Sequence, residues 1–397
     1  MPEMQSPPGA ETVIDGRRYL YFAGTGYLGL QGHPEVIRAA CEAAKQYGLG
    51  SATSRTGFGN TPPVLDVERQ AGRFFGSQSA FYFASGFAGI EILLSWLRPW
   101  CDTIFVDECS HYAVREAARH SGLPVRNFGH CDVDALRAAL ADSTTGRSRP
   151  AVLTDGVFSA LGHIAPLAGY REVLRAFGFA ASMLVVDDAH GIGVLGPMGR
   201  GTLEHAGMWE EVEGCQEPFS ADSIHPAKDA CPETVPDTFS PGLFFCGTLS
   251  KAFGGFGGIL PGTQAWIERV KRESPYYPGA SPPPTPAAAA TARALELVMA
   301  GPGIRARLRE NVSLVKTGLG RLGLAVDDTP VPIVCLEIGS GENMRRIQEE
   351  LMRRGIAVAY MPAYSGLGPE GALRLAVFAT HTEAMIGQLL DGFARLL

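Results

Sequence analysis

The sequence has no apolar run long enough to cross a bilayer. Its longest runs, such as 331–336, fall far short of the roughly 20 residues a membrane helix needs. An excess of positive charge is also missing. Lys and Arg number 34 against 41 Asp and Glu, a net charge of −7. A chain that neutralises a phosphate backbone is basic, so no nucleic-acid partner is expected. The first 16 residues lack both a basic stretch and an apolar stretch. No signal or transit peptide is read there, and the chain is placed in the cytoplasm. The eight cysteines include no Cys-x-x-Cys pair, and no cluster of Cys with His is visible in the sequence. A disulfide scaffold and a structural zinc site are therefore not expected, and no metal is assigned. Most of the thiols are read as small core residues. Finally, 46% of residues are hydrophobic, which excludes general disorder.

What is present is an alternation of strand and helix. Strand-like runs recur at 80–84, 103–106, 151–154, 183–186 and 243–246. Helix-like segments lie between them at 90–97, 114–120, 134–141 and 169–177. Short runs apolar on both faces, separated by helices, predict an α/β fold with a mainly parallel sheet covered on both sides. Ligands in such folds sit beyond the carboxyl ends of the strands. At 397 residues the chain exceeds one ordinary core. The expected division is an N-terminal segment at 1–49, a large domain at 50–275 and a smaller α+β domain at 276–397. The last opens with the break Ser281-Pro282-Pro283-Pro284-Thr285-Pro286 and an Ala-rich helix over 287–300. It continues with strands over 332–338 and 373–378 and a helix over 344–354. Residues 209–242 fit neither pattern. They hold eight acidic residues, one lysine and five prolines, and read as a surface insertion.

Four segments after predicted strands carry candidate chemistry. Lys251 sits in Gly247-Thr248-Leu249-Ser250-Lys251-Ala252-Phe253-Gly254-Gly255. A lysine alone is usually a solvated charge. Small and apolar neighbours would desolvate this amine and lower its pKa, the condition for a nucleophile or Schiff base. Thr248 could hold a phosphate oxygen. In Val185-Val186-Asp187-Asp188-Ala189-His190-Gly191, a buried strand delivers an acid and a histidine. The plain alternative is a turn capped by Asp. Asp187 would suit a protonated ring nitrogen, and His190 a phenolic oxygen on the same ring. Ser85, Gly86 and Phe87 lie in a small-residue turn whose free N–H groups would suit phosphate, or which is simply a helix entry. His111 could stack on a flat ring, or be a polar loop residue. By contrast, Gly24-Thr25-Gly26-Tyr27-Leu28-Gly29 matches a dinucleotide pattern without the helix or the acid such a site needs. A Schiff-base lysine, an acid for a pyridinium nitrogen, a stacking histidine and a phosphate cradle together specify pyridoxal 5′-phosphate (PLP).

The chain resembles the α-oxoamine synthase family of fold-type-I PLP enzymes. The matching stretches are Tyr27-Leu28-Gly29-Leu30 with His33-Pro34, residues 50–55, Ser85-Gly86-Phe87 and Asp155-Gly156-Val157-Phe158-Ser159. Further on come residues 187–191, Gly199-Arg200-Gly201, residues 248–251, and Arg374 with His381-Thr382. They run in the family's order from about residue 20 to the end. The resemblance implies that Lys251 carries the Schiff base and moves protons, and that Asp187 pairs with the ring nitrogen. It places His190 and Ser159 at the phenolic oxygen and His111 on the ring face. Ser85, Gly86, Phe87 and Thr248 hold the phosphate, and Arg374 the amino-acid carboxylate. An edge-strand arginine paired with an acid is the plain alternative for Arg374. The implied activity is condensation of a small amino acid with an acyl thioester, on coenzyme A or an acyl carrier protein. Carbon dioxide is lost and an α-amino ketone remains. The implied assembly is a homodimer. An aminotransferase, an aldolase or a non-catalytic relative would share the same cofactor residues. Three positions depart from the family pattern. Gly26 replaces an Asn, Val64 replaces a His, and Ala280 stands where a phosphate-binding Ser or Thr is usual. These bear on the substrate more than on the cofactor.

Overall fold

The computed structural model describes residues 2–145, 147–179, 181–212 and 242–397. Most of the acidic insertion, with Cys215 and Cys231, lies outside the described residues.

Thirteen strands are described, beginning with β1 (Glu11–Ile14) and β2 (Arg17–Tyr21). The central sheet contains β3 (Ser79–Phe83), β4 (Thr103–Asp107), β5 (Val125–Phe128), β6 (Pro150–Asp155), β7 (Met183–Asp187), β8 (Gly242–Thr248) and β9 (Gly258–Gly262). Its spatial order is β3-β9-β8-β7-β6-β4-β5, with β9 antiparallel to both neighbours and the rest parallel. The residues alternate between two apolar layers. Val185, Phe244 and Leu153 join one core cluster, and Leu184, Val186, Phe245 and Val152 the other. Both faces are covered, so the runs read as continuously apolar. The strands β5 and β9 escaped the sequence pattern. The first three residues of β5 are solvent-exposed, and β9 contains Gly and Pro.

The remaining strands are β10 (Ile333–Leu336), β11 (Ile356–Ala357), β12 (Ala359–Met361) and β13 (Ala372–Ala376). They form two small sheets, β10-β13-β12 and β1-β2-β11. In the second, β2 runs parallel to β11, so the N-terminal segment is tied to the C-terminal part of its own chain. The Ala-rich helix spans Thr285–Ala300 and packs on helices Pro34–Tyr47 and Pro62–Phe75. Among the described residues, no helix is long and apolar enough to cross a membrane.

Two expectations need correction. Residues 209–242 are not insertion throughout: Trp209 stacks on Phe75 at 6.1 Å and meets Phe245 edge-on, and Gly242 opens β8. Nor are most cysteines core residues. Of the six described, only Cys101 and Cys246 are buried.

His381 fastens the two ends of the chain. Its Nδ1 accepts the Phe378 N–H at 3.0 Å, its Nε2 donates to the Tyr21 carbonyl at 3.0 Å, and its ring stacks on Phe22 at 4.0 Å. That pattern requires a neutral imidazole, and burial pushes the ring down to about 4. The unfolded chain, with a pKa near 6.5, binds the proton more readily, so stability is present above pH 6.5 and is lost as pH falls toward 4. Between pH 7 and pH 5 this group should cost about 2 kcal/mol. His381→Gln cannot gain the proton, and urea unfolding at the two pH values should show a flatter dependence than wild type. Equal dependences would exclude a neutral, buried His381.

Candidate active site

The candidate residues gather where the parallel strands end. Each of β4, β6 and β7 runs one residue beyond its apolar run and closes on a buried aspartate: Asp107, Asp155 and Asp187. Asp155 and Asp187 are register partners on adjacent strands. Burial pushes both carboxyls up, and the neighbouring Asp187 raises Asp155 further. Two like charges side by side in a dry site repel each other, and the upward push is stronger on Asp155 than on Asp187. Asp187 is pulled back toward ionisation by Lys251 and then His111. Its Oδ1 accepts the Ala189 N–H at 3.1 Å.

Lys251 follows β8 in a turn. Burial lowers its amine, opposed by Asp187 and then Asp155. Its Nζ lies 2.9 Å from His190 Nε2. The His190 Nδ1 is 2.7 Å from the Tyr27 hydroxyl, and Arg374 Nη2 donates to that hydroxyl at 3.4 Å. Lys251, His190, Tyr27 and Arg374 thus form one hydrogen-bonded chain, buried from His190 to Arg374 and half-buried at Lys251. Burial, reinforced by the Lys251 charge, holds His190 well below its ordinary value, so the ring is neutral. A neutral imidazole engaged at both nitrogens can pass a proton between the amine and the phenol.

Arg374 lies on β13, the central strand of its sheet and not an edge. It is only 6% exposed and, among the described residues, pairs with no acid. Instead Nε donates to the Ser159 carbonyl at 2.8 Å and Nη1 to the Gly24 carbonyl at 2.9 Å. Gly24 adopts φ 77°, which only glycine takes up freely, and so turns its carbonyl to the guanidinium. The glycine segment rejected as a dinucleotide site thus contributes backbone to this one.

The phosphate-type turn is equally local. Ser85 caps the short 3-10 helix Gly86–Ala88, its hydroxyl accepting the Phe87 N–H at 3.3 Å. A Cβ at Gly86 would stand 2.7 Å from the Thr248 side chain, so the missing side chain is what lets this turn approach β8. Thr248 donates to the Gly257 carbonyl and pairs with Ser250, both at 2.8 Å. His111 caps helix Tyr112–His120 through Nδ1, and its N–H donates to Asp155 Oδ2 at 2.7 Å. Its ring faces Phe87 and Tyr364 near 6 Å.

Three groups that the fold brings to this site were given no role from the sequence: Asp155, Tyr27 and the Gly24 carbonyl. Asp155 ends its strand as Asp187 does, and that shared position was the available signal. The expectation that no Cys and His cluster also fails, because folding brings Asp107, His130 and Cys131 within 4.8 Å.

The nearby Arg55 is buried and paired with Glu68 through two hydrogen bonds, at 2.6 and 3.1 Å. Lys271 also reaches Glu68 at 2.9 Å, which fixes the loop that precedes helix Pro62–Phe75.

Tyr27→Phe would keep the ring and leave His190 Nδ1 buried without its partner. A loss of about 1–3 kcal/mol in urea unfolding is expected. A loss below about 0.5 kcal/mol would show that the phenol contributes nothing beyond packing.

Residues 20–393 match the aminotransferase class I and II family. The chain is 34% identical over 391 residues to an 8-amino-7-oxononanoate synthase of Cellvibrio japonicus, covering 98% of this chain and 89% of that one. It is 31% identical over 396 residues to an enzyme of the same name from Nitrosococcus oceani, covering 99% and 96%. Among solved structures, a serine palmitoyltransferase from S. paucimobilis with bound PLP superposes with TM-score 0.86 at 24% identity, covering 100% of this chain and 92% of that one. With its family model and its relatives aligned almost end to end, the chain belongs to the aminotransferase class I and II family and, within it, to the α-oxoamine synthases.

Proposed function

We propose that this chain is a PLP-dependent acyltransferase, which condenses a small amino acid with an acyl thioester, with decarboxylation, to an α-amino ketone. The observation that carries the reading is a lysine amine desolvated beside a buried aspartate, with an arginine on the same hydrogen-bonded chain that pairs with no acid among the described residues. The residues present fit PLP. The close approach of Gly86 to Thr248 leaves a small-residue cradle beside the Ser85 turn, and Lys251 and His111 both act on Asp187. In this reading Lys251 holds the cofactor and Asp187 its ring nitrogen. His111 covers the ring face, and His190 with Ser159 approaches the phenolic oxygen. Ser85, Gly86, Phe87 and Thr248 receive the phosphate. When bound, PLP supplies an electron sink for negative charge at the substrate Cα.

The chain's own groups then divide the work. Arg374 seats the carboxylate, because its guanidinium is fixed by two carbonyls that do not cancel its charge. Lys251 takes the Cα proton, and His190 with Tyr27 can relay it away from the amine. Burial of Asp155 and Asp187 excludes water from the ring-nitrogen end.

The relatives' name suggests the substrates. In 8-amino-7-oxononanoate the amine and ketone are adjacent. Cutting the bond between them leaves alanine less carbon dioxide and a seven-carbon acyl group ending in a carboxylate. We therefore place alanine and such a diacid thioester first in a screen that also includes serine and glycine with long-chain acyl thioesters. Thiol release that depends on an amino acid is the expected result. Amino-group transfer to a keto acid without thiol release would move the chain to another reaction class.

The protein works as a homodimer in the cytoplasm in this reading. Leu49 and Phe58 are 78% and 95% exposed and flank the buried Arg55, as expected where a second copy covers them. Two further outcomes are expected. Borohydride should fix the cofactor on Lys251, as peptide mapping would show; a label on another lysine would refute the assignment. Arg374→Lys keeps the charge but not the fork, so the amino-acid KM should rise about ten- to a hundredfold while that of the thioester holds. Equal changes in both constants would point to misfolding.

A further inference from the structure

Lys251 is held at both ends by one short stretch of chain. Its Nζ lies 2.9 Å from His190 Nε2, and Tyr27 holds the other nitrogen of that ring. Its carbonyl accepts two hydrogen bonds. One belongs to the turn itself, from the Gly254 N–H at 3.0 Å. The other comes from outside the turn, from Gln31 Nε2 at 3.1 Å. Tyr27 and Gln31 lie one after the other in the same segment, so His190, Lys251 and that segment close a ring of contacts. The backbone fits as tightly. A Cβ at Gly254, where φ is 65°, would stand 2.6 Å from the Gln31 nitrogen and 2.9 Å from the Leu30 carbonyl carbon.

The Gln31 amide lies where a side chain at residue 26 would be. A Cβ at Gly26 would stand 2.7 Å from both Cδ and Oε1 of Gln31 and would also meet Nε2. The amide can occupy that space because residue 26 is glycine, the position at which the family resemblance expects Asn. The contact adds little to the stability of the fold. Gln31 Oε1 is buried and, among the described residues, accepts no hydrogen bond. The Lys251 carbonyl already has the Gly254 donor. A second bond to an acceptor that already has one, set against a buried acceptor with none, leaves little or no net gain. What the contact does fix is the place of the Lys251 backbone relative to Tyr27.

We propose that Gln31 is a positioning residue for Lys251, admitted by the missing side chain of Gly26 and setting the distance of the amine from His190. The inference rests on the reading in which Lys251 is the reactive amine. Gln31 acts through the Lys251 carbonyl and not on the amine itself. Arg374 is held from the same segment by a separate contact, the Gly24 carbonyl, so loss of the Gln31 amide loosens the Lys251 turn and leaves the guanidinium in place. The charged and titratable groups that face the amine are Asp187, Asp155, Arg374, Cys246, His190 and His111. None of them is bonded to Gln31 or to Gly26. Burial lowers the Lys251 amine, so a looser turn that admits water moves it back up toward its ordinary value.

The test compares wild type with Gln31→Met, Gly26→Ala and the double variant. Met keeps the length of Gln31 and removes the donor. Gly26 does not have a left-handed φ, so Ala suits its backbone, and the flexible Gln31 amide is what yields to the new Cβ. Competitive acetylation across pH, read by peptide mass spectrometry on the full chain freed of cofactor, follows the Lys251 amine directly. In the holoenzyme, the pH dependence of the cofactor absorbance follows the same group. Each single variant should raise the Lys251 midpoint by about half a pH unit or more and displace that of the absorbance. The double variant should go no further than either single one, because both remove the same contact. The melting temperature of Gln31→Met should match or exceed that of wild type. A wild-type Lys251 midpoint in Gln31→Met would overturn the proposal, as would single shifts that add in the double variant. A midpoint that moves only together with a lower melting temperature would reduce Gln31 to a structural residue. The acetylation readout does not involve the cofactor, so it decides on Gln31 even where the thiol-release assay fails and the proposed reaction with it.

Discussion

Buried carboxylates at the ends of parallel strands are the constraint on which the rest of this structure depends. Three neighbouring strands each end in an aspartate, and none of the three reaches bulk solvent. A buried carboxylate is costly unless donors or charges compensate it. Each is compensated by a different loop. Asp107 organises the loop after β5 through the Cys131 N–H and His130. Asp155 takes the His111 N–H and so sets the start of helix Tyr112–His120. Asp187 takes the Ala189 N–H and the field of Lys251. The same electrostatic requirement therefore builds the catalytic end of the molecule and positions its loops.

The strands of the parallel core were legible because both faces of each are buried, which leaves a plain apolar run. The one residue that each run omits is the terminal aspartate. Apolar patterning stops at Val106, Thr154 and Val186, whereas the hydrogen-bond ladder extends to the aspartate. Lys251, Asp187 and His190 were singled out because their chemistry is unusual for their surroundings, and Arg374 through the family resemblance. Tyr27 was not, since an aromatic side chain beside Leu28 reads as core, and by burial it is core. Its second role depends on His190, 163 residues away. Asp155 sits before a glycine, where the turn reading is the natural one. His130 and His163 are 33 residues apart, and only pairing of β4 with both β5 and β6 brings their loops together.

Position on a sheet also separates the two readings of Arg374. An arginine on an edge strand can turn outward to solvent or to a surface acid. On a central strand both hydrogen-bonding edges are taken, by β10 and by β12, and the side chain must go up or down into packed protein. Here it goes toward carbonyls from two distant segments, around Gly24 and Ser159. Carbonyl oxygens orient the guanidinium without neutralising it. The positive charge stays available to an incoming anion, and its direction is set in advance.

In the proposed function this arrangement would couple substrate seating to the integrity of three separate pieces of chain. The glycine-rich stretch near residue 24 is anchored by β2, which pairs with β11. Ser159 lies on the hairpin closed by the Val157–Ile164 bridge. Arg374 itself belongs to the C-terminal sheet. A displacement of any one would leave a buried guanidinium short of a partner, which is expensive. The site is therefore stiff without any covalent link, and the stiffness comes from the cost of a charge that has nowhere else to go. In the proposed function, a substrate carboxylate would arrive where Nη2 now meets the Tyr27 phenol at 3.4 Å and would complete what the fold leaves unfinished.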